Sequence, residues 1–141
     1  MTKYTLPAAV LLTFLLLSSG TLSADEPSPL EGNWVNTDPE TQSAPGIEIE
    51  IDDDGKGTFF WWGKTHPEDS RYGPFDLKLY GKSVGDHQPP AFGTAVHKTN
   101  FSKILFTLEL DGGYLKVQMF TEFTDDSGRK PYCNRLTFKK G

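Results

Sequence analysis

The stretch Ile47-Glu48-Ile49-Glu50-Ile51-Asp52-Asp53-Asp54-Gly55-Lys56-Gly57-Thr58-Phe59-Phe60-Trp61-Trp62 decides the fold. Isoleucine and glutamate alternate strictly from Ile47 to Ile51, the pattern of a strand with one dry face and one wet face. Asp54-Gly55 supplies the positive φ that a tight hairpin turn needs, and Gly57 to Trp62 returns as the second strand. The acidic run Asp52-Asp53-Asp54 also resembles the start of a calcium loop. The last ligand position of an EF-hand beginning at Asp52 falls on Gly63 instead of a carboxylate, so the hairpin is the reading.

Moving outward from this hairpin, the aromatic run Phe59 to Trp62 leads into a polar loop, Gly63 to Gly73, closed by Pro74. Pro74 to Tyr80 reads as a strand with Phe75, Leu77 and Leu79 on one face. After a loop at Gly81 to Pro90, Ala91 to Lys98 reads as a strand with Phe92, Thr94 and Val96 on one face. Lys103 to Leu110 points Ile104, Phe106, Leu108 and Leu110 inward. A second hairpin signal, Asp111-Gly112-Gly113, joins it to Tyr114–Phe123, whose dry face is Leu115, Val117, Met119, Thr121 and Phe123. Tyr132 to Lys139 is the last strand, with Leu136 and Phe138 inward. Upstream, Gly32 to Asn36 is the first strand, and Thr37 to Pro45 is a loop with two prolines. This makes eight strands and no sustained helical period. The expected fold is all-β, an eight-stranded antiparallel up-and-down barrel, since closure removes exposed edges. An open two-layer sandwich is the alternative.

The apolar run Leu6 to Leu17, preceded by Lys3 and followed by small residues, reads as a secretory signal peptide spanning 1–24. Cleavage is expected after Ala24, with Ser23 or Gly20 as alternatives and an uncleaved N-terminal anchor as the other reading. Residues 25–31 read as an extended leader and 32–141 as one domain. The expected location is secreted or periplasmic, with no transmembrane segment after cleavage. All 19 acidic residues but only 13 of the 14 basic ones lie beyond Ala24, a formal charge of −6 that argues against a nucleic-acid partner. Cys133 is the only cysteine, so no internal disulfide can form and the fold should survive reduction. Cys133 is either a small packed residue or the link of a disulfide-bonded dimer; otherwise the protein is a monomer. Asn100-Phe101-Ser102 matches the glycosylation acceptor pattern, meaningful only in a eukaryotic host.

Two resemblances bear on the fold. Leu30-Glu31-Gly32-Asn33-Trp34-Val35-Asn36 resembles the Gly-x-Trp opening of lipocalin-like and avidin-like barrels. That likeness implies that Trp34 plugs one end of the barrel beneath a basic residue near the last strand, for which Arg135 is the candidate. No residues here match the biotin-binding set of avidins. More broadly, Trp34-Val35-Asn36-x-Asp38-Pro39, Trp62-Gly63-Lys64 to Gly73, Phe120-Thr121-x-Phe123-Thr124 and Ser127-Gly128-Arg129 resemble an uncharacterised bacterial family of small secreted β domains. Its loop usually reads Trp-Gly-Lys-Cys-x-Pro-x-Asp-Cys. Thr65 and Ser70 stand at the two cysteine positions, so other contacts must hold this loop.

Catalytic chemistry finds no constellation. There is no Gly-x-Ser-x-Gly elbow, and Cys133 has no motif around it. His66, His87 and His97 are scattered; His66 with Asp69 could supply two metal ligands, but a His-Pro-x-Asp loop is more often structural. Glu48 and Glu50 share a strand face, the one expected to face water, which disfavours a glycosidase pair. No metal or cofactor is expected. The reading is a non-catalytic exported binding module holding a small apolar or sugar-like molecule, or a protein partner, at one end of the barrel. A protein-interaction or inhibitor domain acting through loop 63–73 is the alternative. Connections alternate between the ends of an up-and-down barrel, so Thr37–Pro45, Gly63–Gly73, Thr99–Ser102 and Thr124–Pro131 share one end. Long loops on a rigid barrel are where binding residues usually sit. The candidate ligand-binding residues are Trp62, Lys64, His66, Asp69, Arg71 and Tyr72, with Trp62 entering this end directly.

Overall fold

The structure is a computed structural model and describes residues 27–141. The signal-peptide and cleavage readings lie outside the described residues. The eight strands are β1 (Gly32–Asn36), β2 (Gly46–Ile51), β3 (Gly57–Gly63), β4 (Ser70–Tyr80), β5 (Phe92–Lys98), β6 (Ser102–Asp111), β7 (Tyr114–Phe123) and β8 (Tyr132–Lys140). No helix occurs among the described residues. Each strand pairs antiparallel with its neighbours in sequence, and β1 closes the barrel on β8 through Trp34↔Lys140, Val35↔Lys139 and Asn36↔Phe138. The barrel is therefore the up-and-down form expected from the hairpin pattern, and not an open sandwich.

The deciding hairpin pairs Ile47 with Trp61 and Ile49 with Phe59. Asp52 Oδ1 accepts the Asp54 N–H at 3.0 Å and the Lys56 N–H at 2.8 Å, so the acidic run is spent on the turn's own backbone. Because side chains alternate across a strand, this register sends Phe59 and Trp61 inward with the isoleucines. Trp34, Phe59, Phe106, Phe138, Leu30, Ile47, Ile49, Leu115 and Val117 are fully buried and fill the barrel.

Two strands depart from expectation. Strand β4 begins at Ser70, so the loop is Lys64–Asp69 and not Gly63–Gly73. A bulge makes this possible. The register steps from Phe59↔Phe75 to Trp61↔Tyr72, placing Tyr72 and Phe75 both inward, with the two residues Gly73 and Pro74 standing against the single residue Phe60. Gly73 has φ +126°, and a Cβ there would lie 2.7 Å from Phe60 Cδ1 and 2.9 Å from the Phe59 carbonyl oxygen. In β5 the inward face is Gly93, Ala95 and His97; Phe92, Thr94 and Val96 face out. The reason is space: a Cβ at Gly93 would meet Leu77 Cδ1 at 2.9 Å, and Ala95 lies opposite Phe106. At Gly93 and Ala95 the large neighbours leave room only for small residues.

The two ends differ. One carries the turns 52–56 and 112–113, the loop 81–91 and both ends of the described chain. Residues 28–31 form a turn there, with the Glu31 N–H donating to the Ser28 carbonyl at 3.0 Å, where an extended leader was expected. Leu30 is 0 % exposed and its carbonyl accepts the Trp34 indole N–H at 2.9 Å, so leader and tryptophan together stopper this end. The cation over the Trp34 ring is Lys140, with Nζ 4.4 Å from the ring centroid, and not Arg135. Arg135 pairs with Gln118 on the outer wall, whereas Lys140 shares the inward parity of Phe138. Burial lowers the Lys140 pKa, an effect that the nearby Glu31 carboxylate opposes.

Candidate functional site

The other end carries the connections 37–45, 64–69, 99–101 and 124–131 and is open at its centre. Loop 37–45 folds over it: the Asn36 side-chain amide donates to the Ala44 carbonyl at 2.9 Å, and the Lys64 N–H donates to the Ser43 carbonyl at 3.1 Å. These ties hold the β1–β2 and β3–β4 connections together. Inside them lies a mouth of about 250 Å³. Ile104 and Met119 give it an apolar floor, Trp61, Tyr72 and Tyr132 an aromatic wall, and Gln42, Ser43, Thr121 and Asn134 a polar rim. Asn134 Nδ2 donates to Ser43 Oγ at 3.4 Å, and Ser43 Oγ lies 3.7 Å from Met119 Sδ, so the rim is already ordered.

Two larger concavities, of about 450 and 510 Å³, lie on the outer wall. They are lined mainly by outward-facing side chains such as Thr107, Gln118 and Arg135 in one and Leu105, Phe120 and Cys133 in the other. The mouth is smaller, but there residues of the connections 37–45 and 64–69 meet inward side chains of the barrel.

The six residues singled out from sequence do not converge. Lys64 and Tyr72 line the mouth. Asp69 pairs with Lys64 at 3.6 Å and meets its charge at the rim. His66 is exposed on the loop. Arg71 points outward, bonding Glu48 at 2.8 Å, with its guanidinium 3.8 Å from the Phe60 ring centroid and 5.5 Å from that of Trp62. Trp62 lies on the outer wall over Gly46, which it faces across the ladder. The tryptophan that reaches the mouth is Trp61. Its parity was available, because the five-residue turn places Ile47 opposite it. Ser43, Met119, Tyr132 and Asn134 come from elements far apart in sequence, and no local signal marks them.

Behind the aromatic wall lies His97. Its Nδ1 accepts the Trp61 indole N–H at 3.2 Å, and its ring lies 4.6 Å from Phe75 and 5.1 Å from Tyr72 between centroids. An indole nitrogen only donates, so the bond fixes His97 as the neutral tautomer protonated at Nε2. Burial lowers the His97 pKa. The loop is braced by a hydroxyl pair, Thr65 Oγ1 and Ser70 Oγ at 2.8 Å, with Thr65 also donating to the Glu68 carbonyl. Cys133 is exposed opposite Phe120 on the outer wall, which removes the packed-residue reading. Among the described residues no group of three or more His, Cys, Asp or Glu is placed to hold a metal ion. Comparison with protein-family models, with curated proteins and with solved structures finds no match.

Proposed function

We propose that the protein is an exported, non-catalytic binding module that holds one small, uncharged polar ligand, of the kind of a single sugar ring, in the loop-end mouth of the barrel. The observation that carries this reading is the lining of the mouth. Trp61 and Tyr72 present an aromatic wall while Gln42, Ser43 and Asn134 present amide and hydroxyl groups. A sugar ring has an apolar C–H face and a rim of hydroxyls, and such a lining complements both. The volume of about 250 Å³ is below the range of about 300–1,000 Å³ usual for larger ligands. Lys64 is paired with Asp69, so the lining offers no unpaired charge to an ionic ligand. Trp34, Phe59, Phe106 and Phe138 are buried within the barrel, which disfavours a lipophilic ligand in its interior. The cation stacked on Trp34 supports the lipocalin-like resemblance of the architecture, with Lys140 in the role.

A second reading, a protein partner gripping the Lys64–Asp69 loop, draws on one observation: the Thr65–Ser70 brace pre-organises an exposed loop tip. The two readings separate in one titration. Methyl glucoside and N-acetylglucosamine are added to the labelled protein while the side-chain amides of Gln42 and Asn134 are followed by NMR. Saturable shifts at both amides are expected in the parent, with the Gln42 shift lost in Asn134→Leu. Shifts confined to the outer wall, or none with either sugar, overturn the sugar reading.

A further inference from the structure

The wall between β4 and β5 is not closed by a continuous ladder. Pairing runs only from Tyr80↔Phe92 to Lys78↔Thr94. Continuing that register toward the mouth brings Phe75 opposite His97, and there the two rings meet instead of the two backbones. His97 therefore fills a seam in the barrel wall while holding the indole of Trp61, one of the side chains that line the mouth.

Its surroundings carry no charge. From β3 it meets Trp61 and from β4 Tyr72 and Phe75; across β6 it faces Ile104. The Tyr72 phenol is the only titratable group among these. The nearest charged residues in register, Lys98 and Lys103, pair with each other on the outer face. No carboxylate among the described residues is placed to stabilise an imidazolium here, and desolvation is the cause of the lowered pKa. Ring faces attract a cation, but they do not replace the lost acceptor: on protonation, Nδ1–H would point at the indole N–H, donor against donor.

We propose that His97 is a proton-operated latch on the mouth: neutral, it fixes Trp61 and Tyr72 as the aromatic wall, and protonated, it releases Trp61 and dismantles that wall. The pair His97–Trp61 thereby makes the mouth competent near neutral pH and incompetent in acid. This rests on the mouth being the binding site, and it deepens that reading by naming what regulates it. His97 acts through Trp61 and is a positioning residue.

The test needs no ligand. The indole N–H resonances are followed by NMR from pH 8 to pH 5, with the Trp34 indole, bonded to the Leu30 carbonyl, as the internal control. The Trp61 indole and the Asn134 side-chain amide should shift together, with one midpoint below about 6.5 that matches the His97 ring titration, while Trp34 stays still. In His97→Gln, whose amide oxygen still accepts but does not titrate, the Trp61 shift with pH should vanish. In His97→Phe the Trp61 indole should show its acid-state position at every pH. A Trp61 indole that stays fixed while His97 titrates overturns the latch. So does a Trp61 shift that leaves Asn134 unmoved, because the mouth is then not coupled to it. A failed sugar titration at pH 8 with an intact Trp61 transition would refute the sugar ligand and leave the latch standing.

Discussion

Leu30→Ala should be among the most damaging single substitutions outside the strands. Leu30 precedes β1 in a segment that reads as a leader, yet it is 0 % exposed and belongs to the core with Trp34. Alanine removes the equivalent of three methylenes, about 2.4 kcal/mol of transfer free energy at about 0.8 kcal/mol each. The space left beside Trp34 adds a cavity term, which brings large-to-small core changes into the range of about 2–5 kcal/mol. The turn at 28–31 can partly collapse into that space, so about 3 kcal/mol is expected. The indole of Trp34 bonds the carbonyl of Leu30 and not its side chain, so that bond survives and the loss measures the stopper alone. For a domain of this size the melting temperature should fall by roughly 10–15 °C. Urea unfolding followed by tryptophan fluorescence measures the difference, with an unchanged m-value expected. Val84→Ala, at a fully exposed loop position, is the control and should stay within about 0.5 kcal/mol of the parent. A loss below about 1 kcal/mol for Leu30→Ala would show that the segment before β1 is not part of the core.

Gly73→Ala should cost about 2–4 kcal/mol, because an L side chain is strained at φ +126° and its Cβ would press on the Phe59 carbonyl and the Phe60 ring; urea unfolding checks it. Thr65→Cys with Ser70→Cys should form a disulfide under oxidising conditions, since the two side-chain oxygens lie 2.8 Å apart. Closing a loop of six residues should stabilise by about 2 kcal/mol relative to the reduced form, measured as a melting-temperature difference with and without reductant. Stability should also fall in mild acid through His97. Its folded pKa is lowered by burial, so the unfolded chain binds the proton more readily. Its contribution is therefore fully present above the unfolded pKa of about 6.5 and is lost as pH drops through the folded value. His97→Gln should flatten this part of the stability profile, and an unchanged profile would count against it.

Much of the fold was legible because period-2 alternation and Asp-Gly turns are local signals. Ile47 to Ile51 and the Gly55 turn set one hairpin, Leu108 to Val117 across Gly112-Gly113 another, and eight such strands close without edges. Less legible is which face of a strand turns inward where size, and not hydrophobicity, decides. Val96 and Phe92 are the apolar members of β5, yet they face out because Leu77 and Phe106 leave the interior only enough room for Gly93 and Ala95. Pro74 looked like a strand start, but with Gly73 it forms a bulge inside β4, and so Arg71 and Tyr72 belong to a strand, on opposite faces. The run Phe59 to Trp62 has no alternation of its own, so Trp61 and Trp62 can be told apart only through the register with Ile47. Lys140, over Trp34, was likewise within reach of parity, two residues beyond Phe138. The mouth was the least legible part. Lys64 and Tyr72 lie close in sequence to the aromatic run, but Ser43, Met119 and Asn134 join them in lining the mouth only after closure of the barrel.

The most direct test of the central claim, that the loop-end mouth holds a small ligand, is native mass spectrometry of the protein purified from its own host. Three forms are compared: the parent, a variant carrying Tyr132→Ala with Asn134→Leu in the mouth, and Arg71→Ala on the outer wall. A small non-covalent adduct kept by the parent and by Arg71→Ala but lost from the mouth variant is the predicted result. An adduct that persists in the folded mouth variant, or that is lost with Arg71, would contradict the assignment.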